Sequence, residues 1–381
     1  MSQRLLAIDW MRGLVMLLMA LDHASATFNG GRIAADSAYL FDPATGAPAW
    51  LPGSPLPPGQ FLTRWVTHLC APTFLFLSGT SLALSLEGRA REGALAGQLD
   101  RHLLARGLVI LALEGLLSLL GGFLVLQVLY AIGVALLLMI PLRRLPAGWL
   151  AAGALAWIAG GELLTPAAGG PGAARVGLAA GLALVPFEAG GLAVLYPALP
   201  WLAQLALGFA FGRHLLGVPP GREGRLRTAG RVAGAGLAAL ALFAGIRGLD
   251  GYGNMGLHRD DASLAQWLHV SKYPPSLSFA ALELGLMGLC LAGLLLLEGR
   301  RGRVPWRANP VLVFGQTALF FYVLHLPLLG TAAVVLTGGI GRRGLPEAWA
   351  AAAAVLAALY PVCRLYRAYK SAHPRGLAQY L

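Results

Sequence analysis

The stretch from Arg4 to Phe28, RLLAIDWMRGLVMLLMALDHASATF, constrains this chain more than any other. At ~1.5 Å per helical residue it is long enough to cross the hydrocarbon core of a bilayer. Yet it carries Asp9, Arg12, Asp22 and His23. A charge at mid-membrane costs about 2.5–3.5 kcal/mol, so four ionisable groups in one span must be paired or used. At ~100° per residue Arg12 and His23 share a face, and Asp9 joins it. Asp22 points elsewhere. The segment thus presents a polar stripe running from one side of the membrane toward the other. The competing reading is a secretory leader cut after Ala24-Ser25-Ala26; two acids inside it, one just before that point, argue for retention as a span.

The remaining apolar runs set the fold class. A mean hydropathy of +0.67, with 57% hydrophobic and 12% charged residues, describes a multi-span membrane protein. We read spans near 4–28, 61–86, 103–121, 123–142, 147–164, 197–216, 229–247, 275–297, 309–330 and 346–366. The apolar piece 330–340 either extends the ninth span or dips back as an eleventh element. The expectation is an all-α polytopic bundle of about ten spans, with residues 1–381 forming a single transmembrane domain. Gly208 and Gly212 in LGFAFG are spaced for close helix packing. Placing both termini in the cytoplasm puts 20 of the 29 Lys and Arg on that side. The net charge of +12 is then a topology and lipid signal, and needs no nucleic acid. Arg342 and Arg343 fall on the other side. Cys70, Cys290 and Cys363 have no paired spacing, which gives neither a disulfide framework nor a zinc site.

Long outer loops are expected at 29–60, 165–196 and 248–274. The first should be irregular around PGSPLPPGQ. The second is too apolar for a solvated loop and should pack over the bundle or lie at the interface. The third should hold a short amphipathic helix at 264–270. This topology brings polar side chains to one depth. His23, Arg64, His68 and His325 fall in the outer half of their spans, with Lys272 just before the eighth. A neutral His removes a proton from a hydroxyl or amine, or accepts an acyl group. An Arg or Lys in a low dielectric stabilises a developing oxyanion. Asp22 cannot face the His23 ring, so Glu114 or Glu283 is expected to orient it. Asp9 and Arg12 form an ion pair near the inner side or meet a substrate there.

These residues carry a resemblance. Arg12, ten residues, then His23 resembles the first-span signature of the transmembrane acyltransferase-3 enzymes. The ordered set LAIDWMRGLVMLLMALDH, FLTRWVTHLCAPTFLFLSG, VLYAIGVALLL, LYPALPWLAQLALGFAFG, KYPPSLSFAALELG and ALFFYVLHLPLL resembles prokaryotic relatives of heparan-alpha-glucosaminide N-acetyltransferase. The resemblance implies a bacterial inner-membrane acetyltransferase that takes acetyl from cytoplasmic acetyl-CoA and modifies a saccharide or amino sugar on the periplasmic side. It implies His23 as the catalytic histidine, with Arg12 its motif partner. From the residues and their expected depth, Asp22 and His68 are the further catalytic candidates, and Arg12, Asp9, Arg64, His325, Lys272 and Glu114 the substrate-binding ones. No metal is expected. Residues 27–63 contain no His, so the loop histidine of the lysosomal enzyme has no counterpart here.

The phosphates of CoA would be held by inner-side cations, among them Arg89, Arg91, Arg101, Arg222, Arg225, Arg227 and Arg303. The alternative is a transporter or flippase with an intramembrane His and Arg pathway. A passage open to both sides and meeting at His23 suits the enzyme. Broken helices around a midplane site suit the transporter.

Overall fold

The computed structural model describes residues 5–33, 36–40, 49–169, 176–219, 221–301, 309–373 and 376. Arg303 lies outside these residues. Each of the ten apolar stretches carries helix, and the described residues hold fifteen α-helical segments, twelve of them in those stretches. The first half holds α1 (Leu6–Phe28), α2 (Pro58–His68), α3 (Cys70–Arg91), α4 (Ala96–Leu120), α5 (Val128–Leu142) and α6 (Ala147–Gly160). Two short pieces follow, α7 (Thr165–Gly169) and α8 (Leu178–Ala183). Then come α9 (Ala198–Leu216), α10 (Arg222–Leu249), α11 (Leu264–Leu268), α12 (Leu277–Arg301), α13 (Pro310–Gln316), α14 (Ala318–Thr337) and α15 (Leu345–Ala372). Among the described residues, six helices are long and apolar enough to cross a membrane. They are the continuous Pro58–Arg91 pair, α4, α10, α12 up to Glu298, α14 and α15. α5 is a shorter apolar helix, and α1, with its charges, is not one of the six.

Two expectations change. The stretch 123–142 does not begin as helix: β1 (Leu124–Leu126) precedes α5 and pairs in parallel with β3 (Leu192–Val194), which pairs antiparallel with β2 (Phe187–Ala189). The fold is therefore nearly, not wholly, all-α. The turn between β2 and β3 is Gly190-Gly191, both at positive φ, which a two-residue hairpin requires and glycine supplies without strain. Ser118 Oγ and Val125 exchange hydrogen bonds at the end of α4, fixing where the helix stops and the strand begins. The second change is the ninth stretch, which splits at Thr317 into α13 and α14. Residues 330–337 then continue α14 until Gly338, at φ +78°, ends it.

α1 is central. It packs against α13, α15, α14, α12, α3 and α2. Its apolar side places Val15, Met16 and Ala20 in the core at full burial. Its first amides are satisfied from across the bundle, Leu6 and Ala7 N–H donating to the Glu298 carboxylate of α12. Two crossings have backbone against backbone. A Cβ on Gly315 would sit 1.9 Å from the Asp9 carbonyl, and one on Gly208 1.9 Å from the Phe76 carbonyl. The spacing of Gly208 and Gly212 thus marks the real seam between α9 and α3, where Gly212 lies against Thr80.

Candidate active site

Two polar clusters lie at opposite ends of α1. At the N-terminal end Arg12 donates to Asp9 Oδ1 (3.4 Å), to the Gly315 carbonyl (3.2 Å) and to Ser81 Oγ. Gln316 Nε2 donates to Asp9 Oδ2 (3.2 Å), and Arg367 donates to Gln316 Oε1 (3.3 Å). The expected ion pair is therefore present and is embedded in contacts from α3, α13 and α15. Arg106 of α4 stands nearby with no hydrogen bond among the described residues, and the charges that bear on it are those of Arg12 and Arg89. Arg12, Arg89 and Arg106 thus lie within electrostatic reach of one another at this end of α1.

At the other end His23 meets His325. His23 Nδ1 lies 2.7 Å from His325 Nε2, with the rings stacked at 4.9 Å between centroids. His325 Nδ1 lies 3.0 Å from the Phe321 carbonyl, which can only accept. So His325 carries its proton on Nδ1, its Nε2 accepts, and His23 donates through Nδ1. This leaves His23 Nε2 as the free acceptor. His23 is half-buried, whereas His325 is fully buried. The orienting partner is thus a histidine from α14 rather than Glu114 or Glu283. Glu114 turns to the start of α5 and accepts from the Gln127 amide. Glu283 is buried on α12, and its Oε1 has no hydrogen-bond partner among the described residues.

Beside this pair lies a largely buried ionic network. Asp22 Oδ1 accepts from Arg32 (2.8 Å), Arg64 (2.8 Å) and Thr67 Oγ1 (2.9 Å). Arg64 also pairs with Asp36 Oδ2 at 2.5 Å, and His68 Nε2 lies 3.0 Å from the same oxygen. The i,i+4 spacing of Arg64 and His68 therefore does place them on one face, and Asp36 joins them. Tyr273 Oη is 3.5 Å from Arg64. Burial pushes the Asp36 carboxyl up, but Arg64, the His68 hydrogen bond and Lys272 outweigh it and hold the group well below the usual carboxylate range. Lys272 packs with 2% of its surface exposed, and its own amide donates to the Asp36 carbonyl.

Sequence reasoning missed Asp36 and Arg32. Both lie in the first outer loop, where no periodicity operates. The available signal was charge balance, since a buried Arg64 demands acids, and Asp36 is one of the few that the loop offers.

Residues 54–242 match the family described as Heparan-alpha-glucosaminide N-acetyltransferase, catalytic. This match, over just under half of the chain, supports a heparan-alpha-glucosaminide N-acetyltransferase-like family. No curated protein matches the chain. Family and apolar helices together describe a multi-pass membrane enzyme of acetyltransferase type. The matched stretch includes Arg64, His68, Ser81, Arg106 and Glu114. His23, Asp36, Lys272 and His325 lie outside it and are joined to it only by the fold.

Proposed function

We propose that this protein transfers an acetyl group from acetyl-CoA to a saccharide or amino-sugar acceptor, with the donor entering at the Arg12 end of α1 and the acceptor at the His23 end. In this reading the chain spans a bacterial cytoplasmic membrane about ten times, with both termini inside. Supporting it is one observation above the rest: the His23 and His325 pair leaves one oriented imidazole nitrogen, Nε2 of the half-buried His23, in a chain that matches an acetyltransferase family.

The chemistry follows from that nitrogen. His23 Nε2 takes the proton of the acceptor hydroxyl or amine as the new bond to the acetyl carbon forms. The thioester C–S bond breaks, and the proton passes to the departing thiolate. An acyl-His23 intermediate is the two-step variant of the same transfer. Arg12 and Arg106, with Arg89, supply cations for the donor phosphates. Asp22 acts at one remove, by fixing Arg64.

The test is acetyl-CoA turnover by the purified protein in nanodiscs. His23→Ala and His325→Ala should each lower turnover by about 10²–10⁴-fold with donor binding kept. Arg12→Ala should weaken donor binding. Wild-type protein that neither binds nor cleaves acetyl-CoA would sink the proposal. A transporter reading draws support from the break between α13 and α14 at Thr317. That break lies at the Asp9 and Arg12 end rather than at His23, so a substrate pathway would have to centre on Arg12. Uptake of labelled sugar into sealed vesicles that do not turn over acetyl-CoA would favour it.

A further inference from the structure

Arg342 and Arg343 fall at the His23 end of the bundle, away from most of the chain's Lys and Arg. They lie in the segment 338–344 that joins α14 to α15. Gly338, Gly339 and Gly341 take positive φ there, which lets the chain reverse tightly. A Cβ on Gly339 would meet Arg342 Nε at 3.5 Å, so this side chain lies back over the turn. Both arginines are exposed, and among the described residues neither side chain makes a hydrogen bond or an ion pair. Arg32 and Arg259, at the same end, have Asp22 and Asp250. Glu347, the nearest acid in sequence, has its carboxylate on the Gly344 amide at 3.2 Å. The level of the turn is fixed by backbone bonds to the end of α1. Gly341 N–H donates to the Thr27 carbonyl (2.8 Å), Arg343 N–H to the Phe28 carbonyl (2.8 Å), and Gly30 N–H to the Arg343 carbonyl (2.9 Å).

The surroundings of this turn are apolar. Val335 and Leu336 near the end of α14, Ile340 in the turn and Trp349 near the start of α15 are each more than half exposed. The helical ones lie within about 6 Å of the turn along their axes. Both helices are long and apolar enough to cross a membrane, so such side chains face acyl chains, and Trp is the residue type that sits at the headgroup level. Guanidinium groups bind phosphate oxygens through paired N–H donors. Unpaired guanidinium groups above an exposed apolar belt therefore match an amphiphile with acyl chains and an anionic head. A free anion makes no use of the belt, and a zwitterionic head brings a cation that the arginines repel.

We propose that the turn between α14 and α15 is a binding site for an anionic phospholipid of the leaflet at the His23 end, with its phosphate on Arg342 and Arg343 and its acyl chains over Trp349, Val335 and Leu336. The site stands apart from the acetyltransferase reading, and it holds whichever side of the membrane this end faces.

The test uses the full chain in phosphatidylcholine nanodiscs, titrated with phosphatidylglycerol or phosphatidylcholine carrying brominated acyl chains, which quench tryptophan on contact. The share of Trp349 is the difference in quenching between wild type and Trp349→Phe. Two arginines less Glu347 leave one net positive charge, which enriches an anionic lipid about fivefold. Quenching of Trp349 should therefore half-saturate at a mole fraction about fivefold lower for phosphatidylglycerol. Arg342→Gln combined with Arg343→Gln should bring that ratio to about one, whereas Arg342→Lys combined with Arg343→Lys should keep most of it. Neither pair of substitutions touches the backbone bonds that hold the turn. Equal half-saturation by the two lipids in wild type, or a preference that survives in the glutamine pair, would overturn the site. Inorganic phosphate that abolishes the preference at an ionic strength where chloride does not would reassign the arginines to a free anion and remove the lipid.

Discussion

Replacing Gly315 by Ala tests how the Arg12 cluster is held. The new methyl would lie 1.9 Å from the Asp9 carbonyl oxygen and 2.8 Å from the Gly13 nitrogen, both backbone atoms that cannot rotate away. Ordinary contact begins near 3.4 Å, so α1 and α13 must separate locally by 3.4 − 1.9 = 1.5 Å. The hydrogen bond from Arg12 to the Gly315 carbonyl, now 3.2 Å, does not survive such an opening. Overpacking costs about 1–3 kcal/mol, and a hydrogen bond to a charged group about 1.5–3 kcal/mol. The variant should therefore lose roughly 2.5–6 kcal/mol of stability, and with it donor affinity. Unfolding in mixed micelles against increasing SDS reads the first quantity. Gly330→Ala is the control, because a Cβ there meets nothing within 4 Å. It should stay within about 0.5 kcal/mol of wild type. If Gly315→Ala unfolds at the same midpoint as Gly330→Ala, close backbone packing does not position Arg12 and the reasoning fails.

Two further outcomes follow. Because the Asp36 carboxyl is held well below its unfolded value of ~3.9, its contribution to stability is fully present above that pH and is lost as pH falls through the folded value. The gap in melting temperature between wild type and Asp36→Asn should thus stay constant from about pH 5 to pH 8 and shrink only in stronger acid; a gap that shrinks as pH rises above 5 contradicts this. Arg247, fully buried, donates to the Trp267, Leu257 and Gln266 carbonyls and to Asn254, and so folds the loop after α10 around itself. Arg247→Met should cost about 3–5 kcal/mol and expose 250–268 to limited proteolysis, with equal protease resistance as the refuting result.

Where periodicity and hydropathy operate, the sequence was a good guide. The polar stripe of α1, the shared face of Arg64 and His68, the seam at Gly208 and Gly212, and a short helix at 264–268 are all local consequences of helical spacing. Partner choice was not local. Nothing in ALFFYVLHLPLL says that its histidine faces His23 rather than lipid, because that depends on how α14 packs. Asp36 sits in a loop where spacing carries no information. The strand at 124–126 reads as the start of a span, since three apolar residues fit helix and strand equally well and only pairing with 192–194 decides.

The central position of α1 bears on how the protein is made. Its Asp9 and Arg12 are three residues apart and can neutralise each other as soon as the helix exists. His23 waits for a partner 302 residues further along the chain, and Arg12 for a carbonyl 303 residues along. At about 5–20 residues per second, the ribosome needs roughly 15–60 s to deliver them. Throughout that interval α1 must be held with its polar stripe uncovered, by the insertion machinery or by lipid headgroups. Chains that terminate before α13 would leave it permanently so. Assembly is therefore sealed by its last three helices, and premature termination should produce a substrate for membrane quality control rather than a partly active enzyme.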